Sequence, residues 1–189
     1  MSDLTDVVVN ETIRSIYRRH SVRMFTDRPV SDEDLRVILN AANQAPSAHN
    51  QQAWRFIVVR QEHTKLQLAE MVRSRAGDFS RPSSLLLRRA VRSIVSASVI
   101  VAVTNTGELT RRGSESPEVY REAGSDVFRT MEIQSSAAAV ENLLLAAASL
   151  DIGSVWLGVL VIAAFAVVSL ILLKLLGYLD AGAETRTEA

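Results

Sequence analysis

From Ala137 to Leu150 the chain is apolar or small at nearly every position, interrupted only by Glu141, Asn142 and Ser149. At helical spacing such a run leaves no polar face. The helix it predicts, roughly Ser125 to Leu150, has to be buried on all sides by a large core or by a second subunit. Ala137, Ala138 and Ala139 permit close approach of a neighbouring helix. A chain of 189 residues builds one domain with a proper core but cannot wrap that helix alone. The run therefore predicts at least a dimer.

Composition removes several classes of function. Twenty-one basic residues balance 21 acidic ones, which gives no support for general nucleic-acid binding. Cysteine is absent, excluding disulfides, thiolate catalysis and cysteine-built zinc sites. His20, His49 and His63 lie far apart without ligand spacing, so no metal site is expected. Met1 to Asn10 has no basic region ahead of an apolar run, so it does not read as a secretory signal, and a cytoplasmic location is expected.

Along the chain, Ile13, Ile16 and Tyr17 share a helical face behind Asn10 as N-cap, predicting a helix to about Arg19. Ser31 and Asp34 form a capping-box variant opening a helix that buries Leu35, Ile38, Leu39 and Ala42. Trp54 to Arg60 reads as a strand, Thr64 to Val72 as helix, Gly77 to Ser84 as loop and Leu85 to Ile94 as helix. Ala97 to Thr104 is a β-branched run typical of a buried strand. Asn105 to Gly124, polar with Gly107, Gly113 and Pro117, is expected to be a mobile lid. Asp151 to Gly153 is a turn, and Ser154 to Gly158 begins another strand.

Two stretches carry chemistry. Arg18-Arg19-His20-Ser21-Val22-Arg23 packs three arginines, a histidine and a hydroxyl into one turn, a site for a phosphorylated ligand. Ala45-Pro46-Ser47-Ala48-His49-Asn50-Gln51-Gln52 is a run of small and amide side chains leading into the strand at Trp54. Small residues let backbone approach a flat ligand, and amides hydrogen-bond ring nitrogens and carbonyls. Phosphate at one place and a planar polar ring at the other describe a flavin mononucleotide. The plainer readings are a solvated face of Arg18, Arg19 and Arg23 partnered by Asp27 and Glu33, and surface roles for His20 and His49. Trp54 and Trp156 read as core anchors and Asn142 as a satisfied buried amide, with Tyr120 and Phe128 near the lid as substrate contacts.

In order and spacing these segments resemble the FMN-dependent nitroreductase family. The carrying residues are Arg19-His20-Ser21-Val22-Arg23, then Ala45-Pro46-Ser47 with Asn50, Gln52 and Trp54. They continue with the Ala137 to Ala147 run and with Gly153-Ser154-Val155-Trp156-Leu157-Gly158. The resemblance implies an α+β fold, a central mixed sheet flanked by helices, with a long core helix at a homodimer interface and one FMN at each end of it. It implies that Arg19, Ser21 and Arg23 hold the phosphate and ribityl chain, with His20 on the same side. Pro46, Ser47, Ala48, Asn50 and Gln52 would line the isoalloxazine from the partner subunit, and Val155, Trp156, Leu157 and Gly158 would present backbone near its N5 edge. The implied activity is ping-pong, two-electron transfer from NADH or NADPH to a nitroaromatic or quinone, with no catalytic side chain and no metal.

Position 53 is alanine where most of that family carries proline, which opens the alternative of a flavin oxidase acting on a cyclic dipeptide. The C-terminus departs further. From Ile152 to Leu173 no residue is charged, and only Asp180 to Ala189, with Arg186, remains where the family has a basic arm reaching the cofactor. The chain thus divides into an FMN-binding domain, 1–158, and an atypical segment, 159–189. A non-catalytic flavin-binding or assembly module is a second alternative, and a membrane-attached reductase a third. Ile152 to Leu173 satisfies the length rule for a span, but use of Val155 to Gly158 at the flavin leaves fewer than the roughly 20 residues a span needs. Val159 to Leu173 is therefore expected to be buried against protein, in the same chain, a higher assembly or a second subunit.

Overall fold

The computed structural model describes residues 10–78, 80–115 and 124–157. In chain order its elements are α1 (Glu11–Arg18), α2 (Asp32–Asn43), β1 (Trp54–Val59), α3 (Glu62–Arg75), α4 (Arg81–Ser96), β2 (Ile100–Asn105), α5 (Glu108–Glu115) and α6 (Gly124–Ser149). Short 3₁₀ turns occupy Ala48–Asn50 and Ala76–Asp78. The described residues fall into two compact units. One draws on Met1–Val59 and Ser98–Trp156, the other on Arg60–Ala97 and Leu157–Ala189.

The helix starts follow local chemistry. Asn10 Oδ1 accepts from the Ile13 N–H at 3.0 Å, and Ser31 Oγ accepts from the Asp34 N–H at 3.0 Å. Asp32, Glu33 and Asp34 place three carboxylates in the first turn of α2, where the helix dipole favours them. Ile38 and Ala42 are buried, while Leu35 and Leu39 are half-buried. No residue of α1 is buried, and Tyr17 is 74% exposed.

In the first unit β1 and β2 pair antiparallel, with Trp54 opposite Asn105 and Val59 opposite Ile100. The core is a contact of small on large: Ala45, Trp54 and Ala139 pack together, with Phe56, Val103 and Ala138 against them. Ala139 is wholly buried, which is the close approach that the alanine run anticipates. Trp54 also donates its indole N–H to Asn43 Oδ1 at 3.1 Å, so its one polar atom is satisfied. Helix α6, 26 residues and about 39 Å long, packs against α1, α2, α5 and β2. Its buried face is Ala139, Val140, Leu144 and Ala147, while Ile133 stays 51% exposed.

Three expectations are corrected. The start of the supposed lid is a docked helix: α5 covers 108–115, and Leu109 and Gly113 are buried. Gly113 leaves room for the Phe128 ring, which occupies the space a Cβ would need. The rest of the lid, including Tyr120, lies outside the described residues. The reason α5 docks is a long-range bond invisible locally. Buried Glu132 accepts from the Leu109 N–H at 2.9 Å and from Thr110 Oγ1 at 3.0 Å, satisfying orphan donors of the α5 N-terminus. The loop expected at Gly77 to Ser84 ends early, because α4 already begins at Arg81 with proline in its first turn. The strand expected from Ser154 appears, among the described residues, as a single parallel bridge between Ser21 and Ser154.

The second unit is the pair α3 and α4. Leu68, Ala69 and Val72 of α3 and Leu87, Ala90, Val91 and Ile94 of α4 are its buried residues. Lys65 is buried too, donating to the Ala97 carbonyl at 2.8 Å and pairing with Glu62 at 2.6 Å. Its charge thereby answers a free carbonyl at the C-terminal end of α4.

Two outcomes are expected. Glu132→Ala leaves a backbone N–H and a hydroxyl without their acceptor, and the folded state should lose about 2–4 kcal/mol in denaturant unfolding. Glu108 bonds Arg111 at 2.7 Å and Arg112 at 2.8 Å, and these guanidiniums hold its carboxyl down at about 2 against an ordinary 4.5. A depressed acid stabilises fully above its unfolded value and stops doing so as the pH falls through its folded one. Protection of the α5 amides, relative to their intrinsic exchange rates, should therefore fall as pH drops from about 4.5 toward 2, and Glu108→Gln should remove that step.

Candidate functional site

The arginine turn leaves α1 in extended backbone at Arg19. Ser21 then bridges Ser154, and the Val22 N–H donates to the Ser154 carbonyl at 3.0 Å. A Cβ on Gly153 would lie 3.0 Å from Val22 Cγ2 and 3.1 Å from its Cβ, so glycine is what lets the two backbones come this close. The bridge joins the turn of Arg19, His20, Ser21 and Arg23 to the segment that runs on into Val155 and Trp156, two of the three groups singled out from the sequence. Gly158 and Arg186 lie outside the described residues.

The side chains of the turn divide in role. Arg18 is tied to α6: Nη2 donates to the Ala148 carbonyl at 2.7 Å and Nη1 pairs with Asp151 at 3.2 Å. It is a cap on the helix C-terminus, and its acid is Asp151 where Asp27 or Glu33 was anticipated. Arg19 is half-buried, and its guanidinium has no hydrogen-bond or ion-pair partner among the described residues. Ser21 and Arg23 are exposed, and the His20 Nδ1 donates to the Arg18 carbonyl at 3.0 Å. Trp156 was expected as a core anchor, but it is 50% exposed, following directly on the bridge strand.

The amide loop is held in an unusual backbone shape. His49, Asn50 and Gln52 have φ of 53°, 53° and 46°, the left-handed region that side chains other than glycine enter at a cost. Three bonds keep them there. Ser47 Oγ accepts from the Gln52 N–H at 3.0 Å, and Gln52 Nε2 donates to the Asn43 carbonyl at 3.3 Å. The Ala48 N–H donates to Ser135 Oγ of α6 at 3.1 Å, and that hydroxyl in turn donates to the Met131 carbonyl at 2.6 Å. Pro46, Asn50 and Gln52 are exposed; Ser47 and Ala48 are half-buried. Asn43 and Ser135 escape sequence reasoning, Ser135 because it stands 87 positions from the amide it fixes.

The two groups hang from different stations of one helix. Ser135 holds the amide loop and Ala148 receives Arg18, thirteen residues on, or about 20 Å along the axis. Asn142, between them, donates to the Ala41 carbonyl at 3.2 Å and is the satisfied amide that was expected. Among the described residues no cluster of three or more metal-ligating side chains occurs, and no helix is long and apolar enough to cross a membrane.

The sequence model of the Nitroreductase family matches residues 16–178. The chain belongs to the nitroreductase family. Among relatives of that kind, a provisionally named NADH dehydrogenase/NAD(P)H nitroreductase of Archaeoglobus fulgidus is 36% identical over 151 residues, 80% of this chain and 69% of its own length. A nitroreductase of Desulfitobacterium hafniense solved with bound FMN superposes with a TM-score of 0.60 at 27% identity, covering 80% of this chain and 73% of that one. The NADPH:FMN oxidoreductase of Vibrio harveyi, solved with NAD+, gives 0.59 at 25% identity over 80% of this chain. The chain spans only 56–57% of the length of several such structures. The helix-rich α+β architecture with a small sheet is that of the nitroreductase fold.

Ser135→Ala should cost about 1–3 kcal/mol, since it orphans the Ala48 N–H. Amide exchange at Ala48 and Asn50 should rise before any change in α2, the signature of a loop released from its anchor.

Proposed function

We propose that this chain is an FMN-dependent oxidoreductase carrying two electrons from NADH or NADPH to a small acceptor, a nitroaromatic or a quinone, and that it works as a homodimer. The observation that carries the reading is the Ser21–Ser154 bridge, which joins the arginine turn to the segment running into Val155 and Trp156, within the family match. Family membership, a relative solved with FMN and one named for NADPH and FMN support it.

The residues present fit the cofactor. Arg19 is a half-buried guanidinium without a protein partner among the described residues, as a phosphate ligand would be before binding. Arg23 adds a second positive charge and Ser21 a hydroxyl. Pro46, Ser47, Ala48, Asn50 and Gln52 offer small and amide groups on a loop whose backbone is already constrained, so little ordering is left for binding. Val155, Trp156 and Leu157 would bring backbone to the ring edge. FMN, when bound, supplies the two-electron chemistry, and the chain binds, orients and screens it from solvent. No side chain is asked to move a proton. Because donor and acceptor use the same exposed face in turn, ping-pong kinetics follow.

A second copy follows from the layout. The arginine turn and the amide loop are tied to points about 20 Å apart on α6, so the ring-lining loop is best supplied by a partner. Tyr17, Ile16 and Ile133, exposed in the single chain, give that partner apolar area.

The purified protein should show the visible bands of oxidised flavin, and anaerobic NADH or NADPH should bleach them. A colourless protein that takes up no added FMN would refute the cofactor assignment, and flavin reduced by a cyclic dipeptide but by neither nicotinamide would favour the oxidase. Arg19→Ala and Arg23→Ala should each weaken FMN binding roughly tenfold or more, the effect of one charge-assisted contact. Sedimentation at micromolar concentration should give a dimer; a flavin-loaded monomer would exclude the shared site.

A further inference from the structure

The charge balance of zero conceals an asymmetry. Residues 60–97 hold eight basic side chains against three acidic ones, so the remainder is correspondingly acidic. Helix α4 concentrates the excess: it has no acidic residue, and Arg88, Arg89 and Arg92 are exposed along one face. None of these three has a hydrogen-bond or ion-pair partner among the described residues. The acids of neighbouring α3 are already engaged, Glu62 with Lys65 and Glu70 with Arg73. Like charges at positions 88 and 92, one helical turn apart, repel. On the same face, one turn toward the N-terminus, Leu85 and Leu86 are each 50% exposed.

We propose that this face of α4 docks on an anionic lipid surface. Two half-exposed leucines and three guanidiniums on one exposed face suit a helix lying in the plane of a bilayer interface, leucines toward the acyl boundary and guanidiniums at the phosphates. Each guanidinium gains from the negative surface potential, and none has to give up a partner among the described residues to do so. A nucleic acid would use the arginines but leave the leucines against water, and α4 carries no aromatic side chain on which a base stacks. The helix lies on the surface without crossing it. The inference stands apart from the flavin assignment, since none of these residues belongs to the cofactor site.

The test is co-sedimentation of the full chain with vesicles of phosphatidylglycerol mixed with phosphatidylcholine, and with phosphatidylcholine alone. Binding should be confined to the anionic vesicles and should fall as salt rises. Arg88→Gln/Arg89→Gln/Arg92→Gln should weaken it roughly a hundredfold, about fivefold per arginine. Leu85→Ser/Leu86→Ser should weaken it several-fold at unchanged charge. Both variants lie on an exposed face and should keep the wild-type circular dichroism. Equal binding to neutral vesicles, no binding to anionic ones, or wild-type binding by the arginine variant would overturn the proposal, the last placing attachment elsewhere in the chain. Tighter binding of a DNA duplex, lost in the same arginine variant, would overturn it in favour of a nucleic acid.

Discussion

Polar groups on α6 reach out to five separate segments among the described residues, one of them β2 through the Ser136 hydroxyl on Asn105 Oδ1, and the organisation of the first unit depends on them. Glu132 holds the start of α5, Ser135 the amide loop, Asn142 the end of α2, and the Ala148 carbonyl receives Arg18 from α1. The bonds of Glu132, Ser135 and Asn142 are buried or partly buried, where leaving the partner unmatched is expensive, while that of Arg18 is exposed. An all-apolar helix of the same length would pack as well but would not choose which neighbour sits at which turn. These bonds supply that choice, and the alanines between them let the neighbours come close enough to make them.

The local strain in the amide loop follows from the same arrangement. Three non-glycine residues with positive φ in a run of four would relax to extended backbone if they were free. They are held because Ser47, Asn43 and Ser135 bond the loop from within, from α2 and from α6. The Arg19 turn is held by the Val22 N–H on the Ser154 carbonyl and by Arg18 on α6, and glycine at 153 lets Val22 pass close enough for that bond.

Charge is distributed with comparable economy. The exposed ladder on α5, Glu108 with Arg111 and Arg112 and Arg111 with Glu115, is internally neutralised. Arg19, Arg88, Arg89 and Arg92 have no acidic partner among the described residues. A guanidinium without a local acid keeps its field available to an anion from outside.

Much was legible in the residues. Asn10 and Ser31 announced two helix starts because a cap is a bond between neighbours in sequence. The alanine run announced a long helix, which buries Ala139, Val140, Leu144 and Ala147 on one face and leaves Glu141, Ser149 and Leu150 exposed. What periodicity and type cannot carry is pairing across long separations. That α5 is a docked helix depended on Glu132, 23 residues away from Leu109. That Arg18, and not Arg19, caps α6 depended on a carbonyl 130 residues distant. Sequence determined where α1, α2 and α6 run, because caps and periodicity are local. Tertiary structure decided which of several similar side chains faces protein and which faces outward, because only the folded backbone brings a distant donor and acceptor within hydrogen-bond reach.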